Sequence, residues 1–176
     1  RTAKKVYNRS LIASMIDAYG FDKAKEVVAG WGSNLTTEVF SNDTNALRAV
    51  SSGQCGVTIV NTYYLARLLD DPEYDNLKLF WANQDDRGVH VNISGAGIVK
   101  SSKNKEDAQI LLEYLSSERA QDFYASANKE YPVLDSAPVD DSIKGWGDFL
   151  EDDINVSKLG VLQKEAVFIA QEVGYK

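Results

Sequence analysis

The stretch CGVTIVNTYYLARLLDD, residues 55–71, sets two phenols side by side, Tyr63 and Tyr64, where an apolar run gives way to a helical pattern. Consecutive side chains on a strand face opposite sides, but on a helix they diverge by only about 100°. In the first turn of a helix, two such oxygens can lean toward one point beyond the N-terminus. That end carries partial positive charge and favours an anion. A free tyrosine gives up its proton only near about pH 10, so a phenolate at neutral pH needs a strong partner. A hard, highly charged cation is one. Ferric iron matches best, because oxygen ligands suit hard cations and tyrosine is an iron ligand. Read alone, the pair stays ambiguous, since adjacent tyrosines are more often ordinary half-buried aromatics than metal ligands.

Other chemistry finds little support. The chain has one histidine, His90, and no GxSxG, so a hydrolase triad has no basis. It has neither GxxxxGK[ST] nor GxGxxG, which argues against a nucleotide cradle. His90 falls in an alternating stretch and reads as a hydrogen-bonded structural residue. The carboxylate pairs Asp70–Asp71, Asp85–Asp86, Asp140–Asp141 and Asp152–Asp153 read as solvated loop charge. Cys55 is the single cysteine, so it has no internal disulfide partner and reads as a small hydrophobe. No enzyme is expected.

Composition narrows the partners. The 176 residues carry a net charge of −7, a surface that repels phosphate backbones, so nucleic acid is excluded as a partner. The basic cluster Lys4, Lys5 and Arg9, widened by Arg1, is too small to make a groove. No apolar run approaches the roughly eighteen residues of a spanning helix, so no membrane insertion is expected. The opening RTAKKVYNRS has no apolar signal core and reads as the interior of a longer chain.

The elements that would position the tyrosines follow from periodicity. YNRSLIASMIDAYG predicts a helix, with Asn8 or Ser10 as cap and Gly20 as stop. A second runs from Asp22 to about Trp31. A third covers SNDTNALRAVSSGQ, capped by Asp43 or Thr44, with Leu47 and Val50 inward and Gly53 at its end. GVTIV, 56–60, predicts a buried strand, and TYYLARLLDD a helix capped by Asn61 or Thr62 and stopped before Pro72. LKLFWA, 77–82, predicts another strand, and VHVNISGAGIVK, 89–100, a long extended segment. Two helices follow in NKEDAQILLEYLSS and ERAQDFYASA, then a loop over 128–141 and a final amphipathic helix. Helices alternating with short strands define an α/β fold.

IVNTYYLARL, VYNRSLIASMI and VHVNISGAGIVKSSKNKEDA, in that order, resemble the periplasmic ferric-ion-binding proteins of bacterial ABC iron importers. The resemblance runs over nearly the whole chain. It implies a two-lobed, type II periplasmic-binding-protein fold with Fe3+ in the cleft between lobes. Tyr63 and Tyr64 would be metal ligands, and Tyr7 takes the position of a third tyrosine found in some members. Arg1, with Arg9 nearby, is the candidate by position for holding a synergistic carbonate, and Asn61 matches an anion-contacting residue. The family's first lobe adds further ligands, commonly a histidine, from sequence preceding Arg1. By the same resemblance, residues 1–93 belong to the second lobe, 94–144 cross into the first, and 145–176 return. The glycines of SGAG then fit a hinge, and Cys55 has either an upstream partner or a free thiol. The implied partners are an ABC transporter permease in the inner membrane and the N-terminal part of the same protein. The implied location is periplasmic or cell-surface anchored. Two other functions share this architecture: a binding protein for a small anion or organic solute, and the effector-sensing domain of a transcription regulator.

Overall fold

The computed structural model describes residues 1–176, which pack as two compact units. One comprises Arg1–Val60, Glu73–Asn92 and Asp148–Lys176; the other comprises Asn61–Pro72 and Ile93–Gly147.

The first unit is built on α1 (Val6–Tyr19), α2 (Phe21–Ser33) and α3 (Asp43–Ser51), closed by α8 (Ser157–Val161) and α9 (Gln163–Glu172). Apolar residues at helical spacing make the packing face of α1: Ile12, Ala13, Met15 and Ile16 are buried against Val28 of α2 and Ile169 of α9. Gly20 ends α1 at φ +83 and starts α2 at once, a conformation that only glycine adopts cheaply. The side chain that caps α3 is Asn42, whose Oδ1 accepts from the Asn45 backbone N–H at 2.8 Å, rather than Asp43 or Thr44. The expected caps of α1, Asn8 and Ser10, also lie inside the helix: its N-cap is Lys5, without a side-chain bond. Asn8 is buried instead, and its Nδ2 donates to the Thr2 carbonyl at 3.3 Å. The expected single C-terminal helix is two pieces that meet at Leu162, just after Gly160, a weak helix former.

The strands expected over 56–60 and 77–82 do not form ladders in this chain. Its only β pairing is an isolated parallel bridge, Val89 to Glu151. A strand exists through the neighbour whose N–H and C=O groups it meets, and neither segment meets one here. Their apolar side chains are correspondingly open: Val57 is 83% exposed and Phe80 84%.

Three of the acidic pairs are not simply solvated. Asp152 pairs with Arg87, which also donates to Ser14 Oγ at 3.4 Å. Asp86 accepts a hydrogen bond from the Tyr19 hydroxyl. Asp140 caps α7 (Asp141–Lys144) and binds Lys129 at 3.0 Å.

His90 is the structural residue that its pattern suggests. Its Nε2 lies 3.3 Å from Asn92 Oδ1, while Nδ1 is buried with no partner. Burial pushes the imidazole down to about 4, and the nearby Arg87 and Arg1 cations act in the same direction. Between the ordinary value near 6.5 and about 4, the unfolded chain binds a proton that the folded chain refuses. The expected result is stability that falls as pH drops from 6.5 toward 4, with the slope reduced in His90→Gln. Urea midpoints measured across that range check it.

The second unit holds α4 (Thr62–Ala66), α5 (Lys105–Leu115), α6 (Glu118–Asn128) and α7. Ser117 caps α6, accepting from the Ala120 N–H, and Lys129 ends it in the left-handed region at φ +60. The buried residues include Leu65, Ala66, Ala120, Ala125 and Ile143. By contrast α5 buries none of its residues, and Ile110, Leu111 and Tyr114 stand exposed on it.

Candidate functional site

The two tyrosines occupy the first turn of α4, as their sequence context suggests. The helix is shorter than the expected run to Pro72. It ends at Ala66, and the chain continues in i→i+3 turns, with Leu68 N–H on Leu65 O at 2.9 Å and Asp71 N–H on Leu68 O at 3.0 Å. Leu65 and Ala66 are buried and anchor α4, whereas Tyr63 and Tyr64 are half-buried. Their ring centroids are 4.5 Å apart with the planes inclined at 37°. The phenols therefore stand together, as a helical first turn requires.

Two neighbours set the chemistry around them. Asn61 is the N-cap of α4, but its side chain makes no capping bond; its Nδ2 donates to the Tyr63 hydroxyl oxygen at 3.0 Å. That bond uses the acceptor lone pairs of the phenol and favours negative charge on the oxygen. Arg67 places its guanidinium carbon 4.9 Å from the Tyr63 centroid and 5.9 Å from the Tyr64 centroid. Its Nη2 also donates to the Asn128 carbonyl at 3.3 Å, which ties it to the end of α6. A cation over two ring faces is drawn to their quadrupoles, and the attraction grows as the rings gain negative charge. Arg67 is not among the residues that the motifs mark, but its spacing signals it: it lies four residues after Tyr63 and three after Tyr64, the spacing at which helical side chains meet.

Tyr7 and Arg1 belong to the other unit. Tyr7 sits in the first turn of α1, and the Arg1 guanidinium carbon lies 4.4 Å from its ring centroid. Arg1 is itself buried, and its Nη1 contacts Asp43 Oδ2 at 3.0 Å. Asp43, expected as a helix cap, is thus the buried partner of a residue 42 positions earlier. No local pattern announces such a pairing. Arg9, the other arginine near Tyr7 in sequence, is half-buried. Cys55 is a free thiol 3.2 Å from Thr36 Oγ1. No group of three or more His, Cys, Asp or Glu side chains is placed to hold a metal ion.

With this geometry in view, comparison with known proteins defines the class. The bacterial extracellular solute-binding protein family matches residues 1–150, and the chain belongs to it. Among curated relatives, iron uptake protein A1 of Synechocystis is 41% identical, covering 100% of this chain and 51% of the relative. Iron uptake protein A2 of the same organism is 36% identical, covering 100% and 53%. Among solved structures, a Trichodesmium protein described as IdiA or FutA, in complex with iron and citrate, superposes with a TM-score of 0.95. It is 39% identical and covers 100% of this chain and 58% of its own. A ferric binding protein from Campylobacter jejuni gives a TM-score of 0.94 at 35% identity, with coverage of 100% and 58%. The chain therefore has the α/β fold of the type II periplasmic binding proteins, and it spans about half the length of the curated relatives it matches. No helix is long and apolar enough to cross a membrane.

Proposed function

We propose that this chain is the C-terminal part of a two-lobed protein that binds ferric ion and delivers it to an ABC importer. The observation that carries the reading is the phenol pair itself: Tyr63 and Tyr64 side by side in one helical turn, with the Asn61 amide on one oxygen and the Arg67 cation over both rings. That is an arrangement built to hold two adjacent phenolates. The names of the relatives point the same way, toward iron uptake and ferric binding.

In this reading the cargo is Fe3+, held by Tyr7, Tyr63 and Tyr64, whose three anionic oxygens balance its charge. A synergistic anion completes the sphere; carbonate fits, and the citrate bound with iron in the Trichodesmium structure is a second choice. Asn61 is the proposed anion-side residue; Arg1, the other candidate by position, is engaged by Asp43 and the Tyr7 ring. Tyr7, Tyr63 and Tyr64 all fall within residues 1–93, the proposed second lobe, and closure of the other lobe over them is a hinge motion that can signal loading. The proposed lobe division is 1–93, 94–144 and 145–176. The open apolar faces support a missing half: Val57, Phe80 and the α5 side chains are surface that a complete protein would cover. The protein would act in the periplasm or anchored at the cell surface, deliver to a permease in the inner membrane, and catalyse no reaction.

The test is iron binding by the two-lobed protein, read as a visible phenolate-to-iron charge-transfer band and as affinity in competition with citrate. A colourless protein with no ferric affinity overturns the reading. Arg67 gives a graded check. Arg67→Met keeps the stem but removes the cation from both rings, so ferric affinity should fall about three- to tenfold, the range for a partly exposed cation–π contact.

A further inference from the structure

We propose that Asp43 is a positioning residue for Tyr7, acting through Arg1: the buried carboxylate fixes the guanidinium, and the guanidinium fixes the plane of the phenol. The proposal rests on the reading of Tyr7 as an iron ligand, and it assigns Arg1 a ring-holding role in place of an anion-holding one.

Three observations converge. The Arg1 and Asp43 side chains are 3% and 0% exposed and meet at 3.0 Å. The same guanidinium lies 4.4 Å from the Tyr7 centroid. The backbone at Arg1 is anchored independently: its carbonyl accepts from Tyr175 Oη at 2.7 Å and from Asn8 Nδ2 at 3.5 Å, and the next residue, Thr2, donates its N–H to Phe40 O at 3.0 Å. On the other side, the Asn42 cap fixes the first turn of α3, so the position of Asp43 is also set by its own helix.

A buried ion pair is a poor way to gain stability, because well-packed apolar residues of similar volume usually do as well. It does supply a planar cation held in one orientation, which stacks on an aromatic face as lysine cannot. When a phenol becomes an anionic ligand, its ring face gains negative charge and attracts such a cation more strongly. A guanidinium already paired with a carboxylate attracts a further exogenous anion weakly. The pairing therefore favours ring-holding over carbonate capture.

The experiment uses the two-lobed protein and three variants: Tyr7→Phe, Asp43→Asn, and the double replacement Arg1→Met with Asp43→Leu. The double replacement removes both charges at once, so the fold is expected to persist. Its ferric affinity should fall about tenfold, the charge-transfer band should shift, and the dependence of binding on added carbonate should stay as in the parent. Parental affinity and band in a folded double variant overturn the proposal, provided Tyr7→Phe still loses affinity. Loss of carbonate dependence in the double variant also overturns it, because Arg1 then holds the anion. If Tyr7→Phe itself binds iron like the parent, the ligand reading of Tyr7 fails and this proposal falls with it. Should the double variant not fold, Asp43→Asn, read in its folded form, carries the same expectation for affinity and band: it keeps the size but leaves the buried Arg1 cation with a neutral partner, at a cost to stability.

Discussion

Replacing Tyr63 or Tyr64 with phenylalanine should weaken and shift the charge-transfer band of the iron-loaded protein, since two of three phenolates remain, and leave it folded. Each change removes one oxygen and keeps the ring, so the contact between the two rings at 4.5 Å survives, as does the anchorage by Leu65 and Ala66. Tyr63→Phe additionally removes the hydroxyl to which the Asn61 amide donates, a loss on the order of 1 kcal/mol in stability. The metal-binding cost is of another size. Changing a residue that merely orients a metal ligand typically weakens binding by about 10- to 100-fold, so loss of the anionic ligand itself should cost at least about a hundredfold. Tyr124→Phe on α6 is the control, expected to change neither colour nor affinity. Acid should bleach the parent reversibly, because protons compete with the metal for phenolate. Unchanged ferric affinity in both single variants would sink the iron reading and favour a small anion or organic solute in the same fold.

The second large effect is on folding, at a glycine far in sequence from the tyrosines. Gly88 sits at φ +88, and a Cβ built there would lie 2.6 Å from the carbonyl carbon and oxygen of Glu151 and 2.7 Å from Leu150 O. Those atoms are backbone, held in place by Val89 N–H on Leu150 O at 2.8 Å, Asp152 N–H on Val89 O at 2.9 Å and the Gln84 amide on Leu150. Neither side can yield without breaking the one β bridge of the chain and pulling Asp152 from Arg87. Gly88→Ala should therefore cost about 3–5 kcal/mol, read as a lowered urea midpoint. Gly53 shares the left-handed backbone at φ +77 but has open space where its Cβ would go. Gly53→Ala should cost only about 1 kcal/mol. The difference between the two separates backbone conformation from collision.

These cases show what a sequence can and cannot disclose. The helices α1, α2, α5 and α6 were legible because their apolar spacing is set by the helix itself, and the phenol pair was legible because both members lie in one turn. The segments 56–60 and 77–82 have strand composition, but a ladder needs a neighbour, and no property of GVTIV or LKLFWA supplies one. Arg67 could have been found by counting along its own helix. Asp43 could not: its partner lies 42 residues away, and an aspartate at the start of a helix reads as a cap until Asn42 is seen to do that work.

The staple at Arg1 bears on the order in which the chain matures. Its carbonyl is held by Tyr175, 174 residues later, and the Ala3 N–H bonds to Lys176 O at 3.1 Å. Contacts of such long separation close late, because the loop entropy must be met before they form. During vectorial synthesis, the backbone that carries Arg1 cannot be clamped until the last residues of this segment have emerged. The surroundings of Tyr7 should thus mature after α1 and α2 have formed, and a nascent chain that lacks residues 175 and 176 should hold its tyrosine pair before its third phenol is set.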